Sequence, residues 1–380
     1  MAWLTAEQAL EKLGTKPQTL YANVSRGRIR ARPDTVDSRR SLYHADDVAR
    51  LAERHAGRRK AETVAAEAID WGNPVMSSAI STIIDSRLYY RGRDAADLAA
   101  HATLEQAAAL LWDTASVVVP PSTNEMQSPS MAHAFVALAA RVGDDLPTLW
   151  RSPNALKAEA CSVLATVAGA LAPATDDVPL HQRLAAGWGR ADAADVIRRA
   201  LVLLADHELN ASTFAARVTV SSGASLSAAV LSGLATLTGP LHGGAWRGIT
   251  TLASGARRLG AAQVIRQALA EASPLTAFGH PLYPDGDIRA KALLAHFEVP
   301  RHYAELAIEG EAMVGEQVNV DFALSAMAAA FDLPDDAPSV VFALARSVGW
   351  LAHAVEQAGS GHLIRPRARY IGLPIGGETA

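Results

Sequence analysis

Thr238-Gly-Pro-Leu-His242-Gly-Gly-Ala-Trp-Arg-Gly248 is the stretch on which the reading of this chain turns. A small-residue helical pattern runs up to Leu237, and Gly239-Pro240 stops it. Glycine leaves helical φ/ψ freely, and proline supplies no amide for the next turn. His242 follows in a turn with Gly243 and Gly244, whose lack of side chains should let backbone and ligand approach the imidazole closely. Alone, this is a helix-ending loop that holds a histidine. Three more polar islands in apolar surroundings raise it above that: Asp206-His207-Glu-Leu-Asn-Ala-Ser-Thr213, Phe278-Gly-His280-Pro281 and Val318-Asn-Val-Asp321-Phe322.

These residue types suit a carbon–carbon condensation. A base must take a proton from the carbon beside a thioester, donors must hold the enolate, and an acid must polarise the acceptor carbonyl. Asp321 lies between Val320 and Phe322, and apolar neighbours raise a carboxyl's pKa and make it a better base. His242 can donate to a thioester oxygen, a stabilisation worth on the order of 3–4 kcal/mol. His280, in a second tight element, can donate to a ketone oxygen. A dicarboxylate acceptor needs several cations in one cleft, for which the planar, permanently charged arginine fork is suited. Arg346 is the sharpest case: within Phe342-Ala-Leu-Ala-Arg346-Ser-Val-Gly-Trp350 it either reaches the surface along its stem or meets an anion in a cleft.

The order DHELNAST (206–213), GPLHGG (239–244), FGHPLYPDGDIRA (278–290), VNVDF (318–322), ARSVGWLAH (345–353) and IRPRARYIG (364–372) resembles citrate synthase, from about Glu67 to the C-terminus. The resemblance implies a mainly α, two-domain helical fold, with a large domain at 61–243 and 347–380 and a small one at 244–346. It implies condensation of acetyl-coenzyme A with oxaloacetate to citrate and coenzyme A, through an enolate and hydrolysis of citryl-coenzyme A. His242, His280 and Asp321 would be catalytic, and His207, Arg289, Arg346 and Arg365 would bind substrate. Arg365 would reach the neighbouring subunit's site in a homodimer. Coenzyme A enters as the substrate thioester, with no cofactor. Trp246-Arg247 stand where the family has Asn-Glu, Pro281 where it often has Arg, and Arg151-Ser-Pro-Asn154 resembles a shortened His-Pro-Met-Asp region. A 2-methylcitrate synthase using propionyl-coenzyme A, and a metabolite-sensing DNA-binding regulator on the same scaffold, are the rival readings.

The 380 residues, 49% of them hydrophobic, suffice for two or three domains. Charge is unevenly spread. Residues 1–60 hold 13 Lys+Arg against 7 Asp+Glu, while the rest of the chain holds 22 against 32. Within the basic head, Thr5 and Gln8 have capping-box spacing before a helix that Gly14 should stop. A second helix follows from Pro17 to near Gly27. Arg28-Ile-Arg-Ala-Arg-Pro33 and Arg39-Arg-Ser-Leu-Tyr43 could then form a hairpin turning at 34–38, and His44-Ala-Asp-Asp-Val48 opens a third helix. This order resembles a winged helix-turn-helix (1–57), in which clustered Arg would meet phosphates and Gln18 and Asn23 would read bases.

Gly57-Arg-Arg-Lys60 reads as a linker, and the stretch around Asp85 as a hairpin ending at Tyr90-Arg-Gly92. Thr103 and Gln106 repeat the capping box, Pro120–Pro129 reads as a loop, and Asp192 as the cap of a helix with Val196, Ile197, Ala200, Leu201 and Leu204 on one face. A last helix from Pro338 should stop at Gly359. Val218–Leu241 is charge-free and membrane-length, but its Ser, Thr and Gly content favours burial in protein over a bilayer. No metal-ligand spacing and no serine-centred nucleophile elbow occur. Cys161 is the only cysteine, which suits a reducing cytosol and reads as a buried structural thiol.

Overall fold

The computed structural model describes residues 3–13, 17–25, 28–34, 40–49, 76–121, 130–368 and 370–372, with the side chains of Gln18, Ala22 and Ser25 left out. The expected helix stops at 14 and 27, the turn at 35–38, base reading by Gln18, the linker at 57–60, the hairpin approach at 67–75 and the loop at 122–129 lie outside them. The chain divides into two compact units, Met1–Ser77 and Ser78–Ala380.

In the first unit, helices Ala6–Leu13 and Pro17–Ser25 accompany a three-stranded antiparallel sheet. Its central strand, Ser41–His44, pairs with Trp3–Leu4 and Ala31–Pro33. The predicted capping box forms: Thr5 N donates to Gln8 Oε1 at 3.0 Å and Gln8 N to Thr5 Oγ1 at 3.3 Å. Ala9, Leu13, Leu20, Ile29, Tyr43 and Val48 make a small core. Asp47 accepts both Nε (2.7 Å) and Nη2 (3.0 Å) of Arg30, so one of the predicted basic residues is paired internally.

The second unit opens with hairpin Ser81–Ile84/Arg87–Tyr90. Its two turn residues, Asp85 and Ser86, have φ of 49° and 59°, the left-handed pair that matches strand twist in two-residue turns. Helices follow. Leu104–Trp112 starts in the predicted Thr103/Gln106 capping box. Ala194–Leu204 buries the predicted face of Val196, Ile197, Ala200, Leu201 and Leu204. Asp192 does not cap it: that residue sits in a 3₁₀ turn and pairs with Arg190 at 2.9 Å, because the turn carries the chain into the helix without an open N-terminus. Val218–Leu241 divides into the end of helix Ala211–Ser221 and the whole of helix Leu226–Leu237. Cys161 is half-buried rather than buried, on the Pro153–Leu171 helix, and desolvation raises its thiol pKa.

The helix Ala337–Ser360 is the axis of this unit. It is long and apolar enough to cross a membrane by length and composition, yet it is almost wholly buried in protein. Trp350, Leu344 and Leu351 are at 0% exposure, and full burial of one such side chain is worth roughly 1.5–3 kcal/mol. The helix runs through the expected stop at Gly359 and ends at Ser360, with Gly361 at φ 67° as the left-handed cap. Its buried residues belong to the larger of two apolar cores, so a division at 346/347 would cut one continuous packed helix. The smaller core joins Ile249, Ala253, Ile265, Phe278, Tyr303, Leu306 and Phe322. Helix Val320–Ala330 contributes to both cores and therefore spans their junction.

Candidate active site

His242 sits in the turn between helices Leu226–Leu237 and Trp246–Leu259. Its amide and that of Gly244 both donate to Gly239 O at 3.0 Å. The flanking glycines serve the turn more than the imidazole. A Cβ at Gly243 would lie 2.4 Å from Leu237 Cδ1 and 2.7 Å from Leu237 O, so the backbone doubles back against the helix it has just left. His242 Nε2 lies 2.8 Å from Ser212 Oγ, which also accepts the Trp350 indole N–H at 3.1 Å. Ser212 has one hydrogen and two candidate acceptors, this imidazole and Asn210 Oδ1 at 2.7 Å. Turned to His242, the hydroxyl leaves the ring proton on Nδ1; turned to Asn210, it leaves the proton on Nε2.

His280 and Asp321 are clasped together through backbone. Phe278 and Val318 form an antiparallel bridge, Gly279 N donates to Gln317 O at 2.8 Å, and Asn319 N donates to Ala277 O at 3.0 Å. Asn319 caps the helix Val320–Ala330, which puts Asp321 in its first turn. Leu282 N donates to His280 Nδ1 at 3.2 Å, so a neutral ring carries its proton on Nε2. Asp287 completes the clasp. It accepts Nε and Nη2 of Arg289 at 2.9 and 2.8 Å, and its Oδ2 also accepts Val320 N at 3.0 Å.

His207 follows the helix Ala194–Leu204 in a loop where Glu208 takes φ 50°. His207 Nε2 contacts the Tyr283 hydroxyl at 2.8 Å, and its ring meets that of His280 edge-on at 5.1 Å between centroids. Arg346 is 1% exposed and does not snorkel. Its Nε donates to Leu204 O at 2.9 Å and its guanidinium stacks 4.8 Å from the Phe342 ring centroid. Among the described residues its Nη2 has no partner although it is buried, a costly state that an anion would relieve.

The electrostatics join these residues into one site. Burial pushes the Asp321 carboxyl up to about 6, although Arg289 and Arg346 both pull it down. Asp321 as a residue is only partly buried, but its carboxyl is desolvated. Desolvation lowers His242 and His280 to about 4, helped by Arg346 for the first and Arg289 for the second. Burial and the same two arginines hold His207 well below its ordinary value. Burial brings Arg346 down to about 10, which leaves it cationic at neutral pH. At pH 7 the site therefore presents neutral imidazoles, buried cations and an ionised but destabilised carboxylate, a set able to abstract a carbon-bound proton beside a polarised carbonyl.

His207, His242, His280, Arg289, Asp321 and Arg346 are thus brought into one electrostatic neighbourhood. Arg365 is not: it is exposed in the C-terminal segment and joins none of these contacts, because the extended chain after Gly361 carries it off the helix. Trp246 and Arg247 open the helix beside His242, with Arg247 stacked 4.9 Å from the indole centroid. Pro281 is exposed next to His280, and Arg151-Ser-Pro-Asn154 forms a helix start, with Ser152 as cap and Arg151 paired to Glu159. Among the described residues no cluster of three His, Cys, Asp or Glu could hold a metal. Sequence reading missed Ser212, Tyr283 and Asp287. Asp287 alone had a local signal, a helix-capping position two residues before Arg289.

Residues 120–367 match the family model described as citrate synthase, C-terminal domain. Citrate synthase 2 of Bacillus subtilis is 30% identical over 346 residues, 78% of this chain and 93% of that protein. A 2-methylcitrate synthase of Shewanella oneidensis is 32% identical over 185 residues, 46% and 49% of the two chains. The citrate synthase structure from Thermotoga maritima covers 81% of this chain and 96% of its own at 26% identity, with a TM-score of 0.65. That from Thermoplasma acidophilum, a ternary complex with carboxymethyl coenzyme A and oxaloacetate, has 21% identity and a TM-score of 0.68 over 81% of this chain and 96% of its own, a likeness of fold.

Proposed function

The chain belongs to the citrate synthase family, and we propose that it condenses acetyl-coenzyme A with oxaloacetate to give citrate and coenzyme A. The observation that carries the reading is the raised Asp321 carboxyl in the same buried field as two neutral histidines and the half-satisfied Arg346. Asp321 takes a methyl proton from the thioester, and His242, with its proton on Nδ1, donates to the thioester oxygen as the enolate forms. The enolate carbon attacks the keto carbon of oxaloacetate while His280 donates from Nε2 to the oxygen that becomes the tertiary hydroxyl. Water then cleaves the citryl thioester, releasing coenzyme A. His207, Arg289 and Arg346 hold the keto dicarboxylate, and no cofactor beyond the coenzyme A thioester takes part.

The two apolar cores would act as large and small domains closing over the cleft and excluding water from the enolate. We assign the working form to a homodimer, in which the exposed Arg365 completes the partner's site, and its compartment to the cytosol, where a lone thiol stays reduced. Purified protein with oxaloacetate and acetyl-coenzyme A should release thiol and form citrate. Absence of thiol release with acetyl-, propionyl- and longer acyl thioesters would overturn the reading. The acyl pocket differs between acetyl and propionyl substrates by only about 1–3 kcal/mol per methylene, so comparing kcat/KM for the two separates citrate from 2-methylcitrate synthesis.

A second reading concerns the first unit. Arg28 and Arg32 are exposed beside the Ala31–Pro33 strand, with Arg32 stacked 4.3 Å from the Trp3 ring centroid. A winged helix-turn-helix reading of this unit would use them on DNA phosphates, making the chain a DNA-binding regulator as well as, or instead of, an enzyme. Salt-dependent operator binding altered by oxaloacetate or coenzyme A supports it, and lack of binding at low salt removes it.

A further inference from the structure

Behind the cleft lies a buried polar chain that the condensation chemistry does not use. Arg217 Nη1 donates to His353 Nδ1 at 3.1 Å, and His353 Nε2 stands 3.1 Å from Asp206 Oδ2. All three side chains are buried, His353 and Asp206 at 0% exposure. A guanidinium only donates, so His353 Nδ1 must accept, and the ring proton must lie on Nε2, pointed at the Asp206 carboxylate. Arg217 is itself fixed by Glu356 Oε2 at 2.6 Å and Gln357 Oε1 at 3.1 Å, on the same helix as His353.

Asp206 is the residue before His207, and its surroundings bracket that histidine. The Ser81 hydroxyl donates to Asp206 Oδ2 and accepts Glu208 N at 3.0 Å, so one side chain ties down both neighbours of His207. Glu208 holds its φ of 50°, a conformation that costs a non-glycine residue free energy and persists only where surrounding contacts impose it. The Asp206 charge also favours the protonated form of the Arg346 guanidinium, against its burial. The approach of the two elements is close: Gly349 N donates to Ala205 O at 3.0 Å, and a Cβ on Gly349 would lie 2.3 Å from Asp206 Oδ1.

We propose that His353 is a positioning residue for the keto-acid half of the reaction: its Nε2–H holds the Asp206 carboxylate, which sets the loop of His207. This rests on the condensation reading, and the experiment separates the two. His353→Leu removes the donor, whereas His353→Gln places an amide N–H near the position of Nε2. In the His353→Leu protein KM for oxaloacetate should rise about tenfold or more, with KM for acetyl-coenzyme A changed less than about twofold. His353→Gln should recover most of the loss. Oxaloacetate binding by calorimetry should weaken in parallel, a readout independent of turnover. An active wild-type enzyme whose His353→Leu variant keeps the wild-type KM for oxaloacetate, or shifts both KM values together with a lowered Tm, overturns the positioning role. If His353→Leu does not fold, His353→Gln against Asp206→Asn decides: wild-type oxaloacetate binding in Asp206→Asn overturns it. Wild-type protein that binds oxaloacetate but turns over no thioester defeats the condensation reading alone, and the calorimetric comparison still stands.

Discussion

The Ser212 hydroxyl oxygen lies 2.8 Å from Nε2 of His242, and its single hydrogen is shared between that nitrogen and Asn210. The rotor of one serine thus selects which imidazole nitrogen carries the proton, and so whether His242 can donate into the cleft from Nδ1. Ser212→Ala should lower kcat by up to about 10²–10³-fold, the loss for one donor to a developing oxyanion, with oxaloacetate binding nearly unchanged. Steady-state kinetics beside calorimetric titration with oxaloacetate check it.

Asp321 should set the acid limb of activity. Its carboxyl titrates near 6 in the folded protein, and only the carboxylate accepts a proton. The kcat/KM for acetyl-coenzyme A should fall below about pH 6 with unit slope, while His242 and His280, neutral down to about 4, add no limb above pH 5. Asp321→Asn should reduce kcat about 10²–10⁴-fold and abolish this limb.

Folding stability should weaken in acid. His242 and His280 titrate near 4 when folded but near 6.5 when unfolded, so the unfolded chain binds protons first. Their contribution is complete above pH 6.5 and is lost as pH falls towards 4. Asp321 has the opposite sign, since its raised folded pKa favours the native state as pH falls through 6. With His207 also lowered, the histidines outweigh it, and urea midpoints should fall between pH 7 and pH 5. An unchanged midpoint would count against burial of these rings as neutral species.

Arg346→Gln should raise KM for oxaloacetate by about 10–100-fold, the loss expected for a charge-assisted hydrogen bond to substrate. It should leave the protein folded with a modestly lowered Tm, because the Nε bond to Leu204 O is lost while Nη2 has no partner among the described residues. Circular dichroism and the KM for oxaloacetate test both halves.

If Arg365 serves the neighbouring subunit, Arg365→Ala and Asp321→Asn should complement each other. Each is expected to be nearly inactive alone. Mixed and reassorted, half of the dimers would be hybrids with one intact site, restoring about a quarter of wild-type activity. No recovery on mixing would place Arg365 outside a shared site.

Much of the local structure was legible because it depends on short-range chemistry. Thr5/Gln8 and Thr103/Gln106 form their capping boxes, and the helix face from Val196 to Leu204 buries as its periodicity dictates. Asp192 failed as a cap because a 3₁₀ turn over 191–193 runs straight into the helix, which leaves its carboxylate to Arg190. Gly359 failed as a stop because a glycine with helical φ/ψ is tolerated inside a helix, and Gly361 supplies the left-handed cap two residues later. The glycines beside His242 were read as room for a ligand, whereas Gly243 fits against Leu237.

The sequence by itself determined which groups carry the chemistry, since histidines, an aspartate and arginines set in apolar runs are recognisable wherever the chain later takes them. It also determined the helices that deliver them, through periodicity and caps. Only the tertiary structure decided the partners: Ser212 beneath His242, Asp287 between Arg289 and Val320, and His353 behind Asp206. Those contacts join residues 30 to 147 positions apart, except within the Asp287 turn. Hydrogen bonding and desolvation depend on distance in space, and spacing along the chain carries no record of it until the core has packed.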